Sequence, residues 1–436
     1  MNKIRQYFST LEITRGLGIA LLGSSFIYLN HWGFSYPFLN TILALCSLFF
    51  LLQANQKVWF WYGVFIGIFW FWWIALALKH YGYTWGFPVG LFLIAFGYGI
   101  IFWILAWTAE KASQYFVGSV ESRSTVTLLS LTLKALGLLG LSYLHPFGFD
   151  WLKPELIFIE SYFGIEKWQF GLILVAISLS IWRGNLLLLA IVLFAYQPTM
   201  HKHTTDIYHK IALVSTHTSV EQKWDKSLHP QQFKAIFAMI DQAIAQQKSL
   251  IILPESVFPV FLNHSQNLID ELQKRAQYIN IIVGALYADG QTPRNSTYIF
   301  TKGTITVANK VILVPFGESN PLPDFLSKWI NKVFYDGAID YQASSDVIDY
   351  TVDGVSYRNA ICFEATSEKL YSKDKNGNYP KNMIVLSNDG WFTPSIEPTL
   401  QKLLLQYYSK KYGTTIYHSV NMSESYIIDH AHVLKE

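Results

Sequence analysis

Residues 359–371 read NAICFEATSEKLY. The apolar pair Ala360 and Ile361 runs into Cys362, and Glu364 follows two positions later. Cys362 is one of only two cysteines in 436 residues. An isolated thiol after an apolar run is either a packed core side chain or a nucleophile. Which reading holds depends on what the neighbouring segments place beside it.

The surrounding segments read as one α/β domain. KIALVSTHT (210–218) is a short apolar strand. PQQFKAIFAMIDQAIAQQK (230–248) is a helix, with Pro230 at its start and Phe233, Ile236, Phe237, Ile240 and Ile244 on one face. SLIILPES (249–256) is a buried strand ending at Pro254 and Glu255. INIIVGALYA (279–288) and NSTYIFT (295–301) are further strands, and GTITVANKVILVPFGE (303–318) is a strand, a turn around Asn309 and a loop. VIDYTVDGVSYRNAICFE (347–364) is a hairpin turning at Asp353-Gly354. NMIVLSNDGWF (382–392) is a strand leading into a polar loop, TLQKLLLQYYSKKYG (399–413) a helix closed by Gly413, and residues 414–429 further strands. Glu255, Lys310 and Cys362 each stand at or beyond a strand end, where active sites commonly sit.

The N-terminal half is made for a different solvent. The chain is 51% hydrophobic and 14% charged, against about 25% charged in an ordinary soluble domain. Residues 1–197 hold 18 of the 63 charged residues and 12 of the 15 tryptophans. Apolar stretches near 8–29, 37–53, 58–78, 86–108 and 125–144 approach the length a membrane-spanning helix needs, about 20 residues. Two shorter ones, 168–182 and 184–197, are separated by Arg183 and Gly184 and read as two spans or one re-entrant hairpin. No small-residue cleavage site follows the first run, so it is not a removed signal peptide.

With about seven spans and a cytoplasmic N-terminus, the inner segments carry Lys3, Arg5, Arg15, Lys57, Lys111, Arg123 and Arg183. The outer loops carry Lys79, Lys153 and Lys167, an asymmetry that follows the positive-inside rule. The expected organisation is a transmembrane domain over 1–197, a linker over 198–209 and a catalytic domain over 210–436 on the far side of the membrane, in a bacterium the periplasm. A net charge of +3 argues against a nucleic-acid partner. No P-loop, GxSxG or post-strand GxGxxG is present, and no cofactor or metal is expected. His201, His203 and His209 have no second histidine cluster near them in sequence and fit a linker better than a metal site. Cys46 falls within a predicted span, which excludes a disulfide to Cys362.

The chemistry of the three strand ends is complementary. A thiol is a good nucleophile only as thiolate, which is a minor species near neutral pH at an ordinary pKa of about 8.5. A nearby ammonium favours the thiolate, and a carboxylate can take the proton as general base. Lys310 could also hold the oxyanion of a tetrahedral intermediate. Taken singly, Glu255 could as easily neighbour a helix cap, Lys310 could be a solvated turn residue, and Cys362 a core thiol.

In chain order, LPESVFP, NKVILVPFGE, ICFE and SNDGWF resemble the nitrilase superfamily. With the preceding apolar half, the chain resembles the membrane-integrated branch of that superfamily, the apolipoprotein N-acyltransferases. The resemblance implies a transmembrane bundle followed by a four-layer α-β-β-α sandwich. It implies Glu255 as general base, Lys310 as the triad lysine and Cys362 as nucleophile, with Glu318 and Glu364 as supporting carboxylates. Trp224 in QKWD matches a tryptophan at the mouth of the site, and Asn388 and Trp391 belong to the SNDGWF loop beside it. The implied reaction is ping-pong. The cysteine takes an acyl chain as a thioester from a membrane phospholipid, phosphatidylethanolamine by preference. It then passes the chain to the α-amino group of the lipidated N-terminal cysteine of diacylglyceryl apolipoproteins, at the inner membrane.

Three departures stand out. Phe363 replaces the tyrosine usual after the nucleophile. TPSIEPTLQKLL follows SNDGWF where a Gln-His pair is usual, and YIIDHAHVLKE stands where a further span is expected. Two other classes remain open on the sequence. One is a membrane-tethered amidase acting on a small amide; the other is a catalytically silent binding module.

Overall fold

The computed structural model describes residues 9–80, 82–117, 123–197, 208–315, 317–319 and 341–434. Lys3, Arg5, His201, His203 and residues 198–207 of the expected linker lie outside the described residues. The chain forms two compact units. One takes in the chain up to Pro146, the segment resuming at Asp150, and Pro394–Leu403. The other takes in Phe147–Phe149, the chain up to Thr393 and the chain from Leu404 onward.

The first unit is helical throughout. Its helices are α1 (Thr10–His31), α2 (Pro37–Gln53), α3 (Gln56–Phe71), α4 (Gly86–Val117), α5 (Arg123–Leu141) and α6 (Lys167–Arg183). Their starts are set by local chemistry. Ser9 caps α1 by accepting the Glu12 N–H, Pro37 opens α2, and Asn55 caps α3 by accepting the Lys57 and Val58 N–H groups. Gly184, in the left-handed region at φ 62°, ends α6, so the chain breaks where Arg183-Gly184 divides the last two apolar runs. The final run, Leu186–Ala195, winds as a 3₁₀ helix of 10 residues. That tighter winding rises about 2 Å per residue and reaches roughly 20 Å, short of a bilayer core of about 30 Å. Among the described residues, three segments are long and apolar enough to cross a membrane: Gln56–His80, Gly86–Tyr115 and Ser124–Leu141.

Two of these pack closely because of glycine. A Cβ on Gly63 would lie 2.5 Å from the Tyr98 carbonyl oxygen, and one on Gly67 3.0 Å from that of Ile94. Gly63 and Gly67 are four apart on α3, the small-xxx-small spacing that lets helix backbones touch where no hydrophobic force separates lipid from protein. One buried cation of this unit, Lys134 on α5, is answered by Glu110 at 3.0 Å and by the Ala54 carbonyl at 2.9 Å.

The second unit is built on two six-stranded sheets. The first contains β1 (Ile211–Leu213), β2 (Leu250–Ile252), β3 (Phe258–Phe261), β4 (Asn280–Asp289), β5 (Thr292–Thr301) and β6 (Thr304–Asn309). Its order is β1-β2-β4-β5-β6 with β3 against β4; β1, β2 and β4 are parallel and β4, β5 and β6 antiparallel. The second contains β7 (Asp349–Val352), β8 (Val355–Ile361), β9 (Asn382–Asn388), β10 (Thr415–Asn421), β11 (Tyr426–Asp429) and β12 (His432–Leu434), ordered β12-β11-β10-β9-β8-β7. Parallel pairing runs through β8, β9 and β10. The β7–β8 hairpin turns at Asp353 (φ 47°) and Gly354 (φ 81°), as the sequence predicts.

The unit's helices are α7 (Val220–Trp224), α8 (His229–Ala245), α9 (Gln266–Arg275) and, from Leu404 onward, α10 (Glu397–Tyr412). Ile236, Ile240 and Ala243 of α8 and Leu272 of α9 pack on Ile251, Ile281, Val283 and Phe300 of the first sheet. The other face of that sheet, with Ile252, Ile282 and Ile299, meets Tyr357, Ile384, Leu386 and Tyr417 of the second. Met383 and Val385 point to the remaining face and are fully buried. There α10 joins two parallel neighbours as a crossover, and its Gln406 and Ser409 side chains bind the Ala431 backbone. Period-two burial on both faces of β9 makes this a four-layer α-β-β-α sandwich. The sequence reading missed β3, whose Pro259 argues against a strand, and α9, whose exposed face is highly polar.

Arg358 on β8 anchors the chain that leaves this strand. It makes a two-pronged pair with Asp349 at 2.7 and 2.8 Å and also binds the Leu370 and Ser372 carbonyls. Asp349 is partly exposed and Ser372 is exposed, so both can recover water and most of the cost of losing Arg358 falls on the buried Leu370 carbonyl. Arg358→Leu should therefore cost about 2–3 kcal/mol, lowering the thermal midpoint of the detergent-solubilised chain by roughly 5–8 °C. A midpoint within 1 °C or so of the parent (about 0.5 kcal/mol or less) would show that the anchor carries no load.

Candidate active site

Four loops of the second unit meet at one end of the sandwich. The loop after β2 carries Glu255, that after β6 Lys310, that after β8 Cys362 and that after β9 Asp389. Two of them bend sharply. Ser256 sits at φ 47° and Cys362 at φ 54°, conformations that non-glycine residues adopt only when their surroundings impose them. Gly284 on β4 makes room for the first bend. A Cβ there would lie 2.5 Å from the Ser256 nitrogen and 2.7 Å from the Glu255 Cα. Cys362 is the first residue after β8 and opens a 3₁₀ turn, Cys362–Thr366.

Lys310 is 1% exposed, yet its ammonium is fully answered. The Glu318 carboxylate receives it at 3.0 and 2.8 Å, and Glu255 Oε1 lies 3.9 Å away. Burial by itself would lower the Lys310 pKa. The negative charges of Glu318, Glu255, Cys362 and Glu364 outweigh that and hold the ammonium protonated well above its usual range. Asn295 bridges the two carboxylates, its Nδ2 donating to Glu255 Oε1 at 2.7 Å and to Glu318 Oε1 at 2.9 Å. The Val314 N–H donates to Glu318 Oε2, fixing that carboxylate from the other side.

Glu255 is held above the usual carboxylate range, chiefly by burial; Lys310 opposes the rise and Glu318 adds to it. Glu364 is engaged by backbone at both oxygens. Its Oε1 accepts the Ile361 N–H at 2.8 Å, and its Oε2 accepts those of Val311 and Ile312 at 2.7 and 3.0 Å. It therefore ties the start of the Cys362 turn to the residues that follow Lys310. Burial pushes its pKa up to about 7, against the pull of Lys310 and the three backbone donors.

Glu255, Lys310, Glu318, Cys362 and Glu364 thus come together at this end of the unit. Phe363 is buried and stacks on Phe149, ring centres 5.5 Å apart and planes 19° apart, so the ring is used for packing without a hydroxyl. Asn388 builds the turn after β9, with its Oδ1 accepting from Asn421 Nδ2 and from the Gly390 N–H. Trp391 ends the short 3₁₀ turn Asp389–Trp391 and is partly buried. Trp224, at the end of α7, is 40% exposed. Cys46 lies partly buried on α2, in the other unit.

Three residues of the site escaped the sequence reading. Asn295 gave a weak signal, an amide inside a strand where such residues are depleted. Asp389, within SNDGWF, is buried, and burial pushes its carboxyl up to about 7. Lys223 gave no signal, since a lysine beside a tryptophan on a short helix reads as a surface residue. It is 3% exposed, and its Nζ donates to the Glu255 carbonyl at 3.1 Å.

Residues 10–199 match the apolipoprotein N-acyltransferase integral membrane domain. Among curated proteins, the chain is 39% identical over 424 residues to an apolipoprotein N-acyltransferase of Wolinella succinogenes, covering 95% of this chain and 96% of the relative. The apolipoprotein N-acyltransferase of Helicobacter pylori is 35% identical, with 89% of this chain and 87% of that protein covered. That of Campylobacter jejuni is 31% identical, with 96% and 89% covered. Among solved structures, a CN-hydrolase superfamily protein of Xanthomonas campestris aligns over 52% of this chain and 84% of its own, at 15% identity and a TM-score of 0.40. A Nesterenkonia amidase of the nitrilase superfamily aligns over 52% and 84%, at 12% identity and a TM-score of 0.39. On the near-full-length identity to three curated relatives and the match of its helical half, the chain belongs to the apolipoprotein N-acyltransferase family.

Proposed function

We propose that the chain transfers an acyl chain from a membrane phospholipid to the α-amino group of a diacylglyceryl apolipoprotein, through a thioester on Cys362. The observation that carries this reading is the convergence of Glu255, Lys310 and Cys362 in one buried, charge-coupled cluster. The names of the relatives supply the acceptor class. The apolar helices fit substrates whose acyl chains stay in a bilayer, because the reacting ester is then delivered at the membrane surface.

In the first half-reaction, the Glu255 carboxylate takes the proton of the Cys362 thiol and the sulfur adds to the donor's ester carbonyl. The Lys310 ammonium stabilises the oxyanion that forms. Collapse breaks the ester C–O bond, the departing alkoxide takes the proton from Glu255, and lysophospholipid leaves. In the second, the neutral α-amine of the acceptor attacks the thioester and gives a proton to Glu255. The C–S bond breaks, the thiolate recovers that proton, and the amide is released. A thioester suits this task because it divides one difficult transfer into two easier ones. Phosphatidylethanolamine is the donor we infer, and the inner membrane, with the second unit in the periplasm, is the location.

The nucleophile is testable directly. Purified chain given phospholipid alone should gain one acyl chain, released by neutral hydroxylamine. Cys362→Ala should gain none, while Cys46→Ala behaves like the parent. An adduct formed equally well by Cys362→Ala sinks the assignment.

Because Glu255 must be ionised to act as base, and its folded pKa is raised above 4.5, acyl loading should fall on acidification at a pH higher than that value. The check is a pH–rate profile of adduct formation; an acid limb centred at or below pH 4.5 would remove Glu255 from the role (cf. the ordinary value).

Orientation can be read with a reporter active only in the periplasm. It should work when fused after residue 200 and fail when fused near residue 115. The opposite pattern overturns the topology.

A further inference from the structure

Cation supply is uneven around Cys362. The charged groups gathered there are Lys310 and Glu318 beyond β6, Glu255 beyond β2, Asp389 beyond β9 and Glu364 in the thiol's own turn. Lys310 is engaged at both oxygens of Glu318, so much of its charge is already neutralised by a group that takes no part in proton transfer. A thiolate at Cys362 beside an ionised Glu255 would leave the cluster strongly negative. Something else must offset it.

The element after β1 supplies a candidate. Helix α7 is only five residues long, but a reciprocal Ser219–Gln222 cap holds its start. Gln232 donates to the Gln222 carbonyl, and the His229 ring meets the Lys223 carbonyl at 3.2 Å. So held, the helix carries Lys223 into the interior while Trp224 stays exposed. The Lys223 ammonium donates to the Glu255 carbonyl at 3.1 Å, at the residue just before the strained Ser256 bend. Burial lowers its pKa to about 8, and the charges of Glu255 and Cys362 oppose that fall.

We propose that Lys223 is the second cation of the site, a positioning residue that holds the Glu255 loop by its carbonyl and favours the thiolate form of Cys362. The inference rests on Cys362 being the nucleophile. A lysine retained only to satisfy the Glu255 carbonyl would need no charge, and that is where the two accounts part.

The experiment measures the rate of Cys362 alkylation by iodoacetamide against pH, in the full-length detergent-solubilised chain with Cys46→Ala. Mass spectrometry of the Cys362 peptide reads the product without any call on transfer activity. Lys223→Gln keeps a donor for the Glu255 carbonyl and removes only the charge. It should raise the alkylation midpoint by about one pH unit or more and slow capture about tenfold below both midpoints. Lys223→Met should raise it equally. An unchanged midpoint in folded Lys223→Gln, or a rise confined to Lys223→Met, overturns the proposal whatever happens to acyl transfer. Should Lys223→Gln lose its fold, Lys223→Arg decides. With the charge retained, a parent-like midpoint supports the role and a raised one overturns it. Failure of the parent to form an acyl adduct would instead count against the transferase reading and would leave the alkylation profile intact as a separate result.

Discussion

A single carboxylate, that of Glu364, holds the site together. Its two oxygens accept three backbone N–H groups, one preceding Cys362 and two following Lys310. Cys362 extends the second sheet and Lys310 the first, so this carboxylate joins the two sheets at the end where chemistry is placed. Burying a carboxylate is costly, and only a full set of donors offsets it. The three N–H groups are themselves satisfied in the same step. The arrangement requires the backbone of both loops to stay in place, which is what a preorganised site needs.

The cluster around it divides its carboxylates by environment. Glu318 is bound by Lys310, Asn295 and a backbone N–H, and serves as the fixed counter-ion. Glu255 receives one strong amide hydrogen bond and stands farther from Lys310, and burial raises its proton affinity. The same residue type thus has two different settings, one carboxylate in contact with Lys310 at both oxygens and the other farther off and raised by burial. Separation of that kind lets one site hold a counter-ion beside a carboxylate able, in the role proposed for Glu255, to carry a proton. Lys223, donating to the Glu255 main chain, ties a short helix to the same balance.

The two strained bends reflect the same economy of space. Cys362 and Ser256 adopt φ values that side chains resist, and each is held by neighbours that cannot relax. For Ser256 the neighbour is Gly284, whose missing side chain lets the Glu255 loop lie on β4. For Cys362 it is the Glu364 clamp behind the turn and Arg358, which holds the Leu370 and Ser372 carbonyls farther along. In the helical unit, Gly63 and Gly67 play the corresponding part, giving close backbone approach where lipid offers no hydrophobic drive.

Much of this was legible in the residues. The apolar half was visible because a bilayer demands long uncharged runs, and an α/β domain because buried strands read as continuous apolar segments ending in polar loops; its sandwich layering came only with the family resemblance. Glu255, Lys310 and Cys362 stood out because each lies at or beyond a strand end, while Glu318 and Glu364 came only with the family resemblance. Periodicity carries no long-range information, however. Asn295, Asp389 and Lys223 are polar residues in ordinary local settings, and only packing shows that they are buried against Glu255. Strand β3 and helix α9 were hidden for the reverse reason, since a proline and a polar face outweighed the few apolar contacts that fix them. Sequence alone therefore determined which solvent each half was made for and which groups could react. Tertiary structure decided which carboxylate lies against Lys310 and which stands farther off, because Glu255 meets Asn295 and Lys310 only across 40 or more positions of chain.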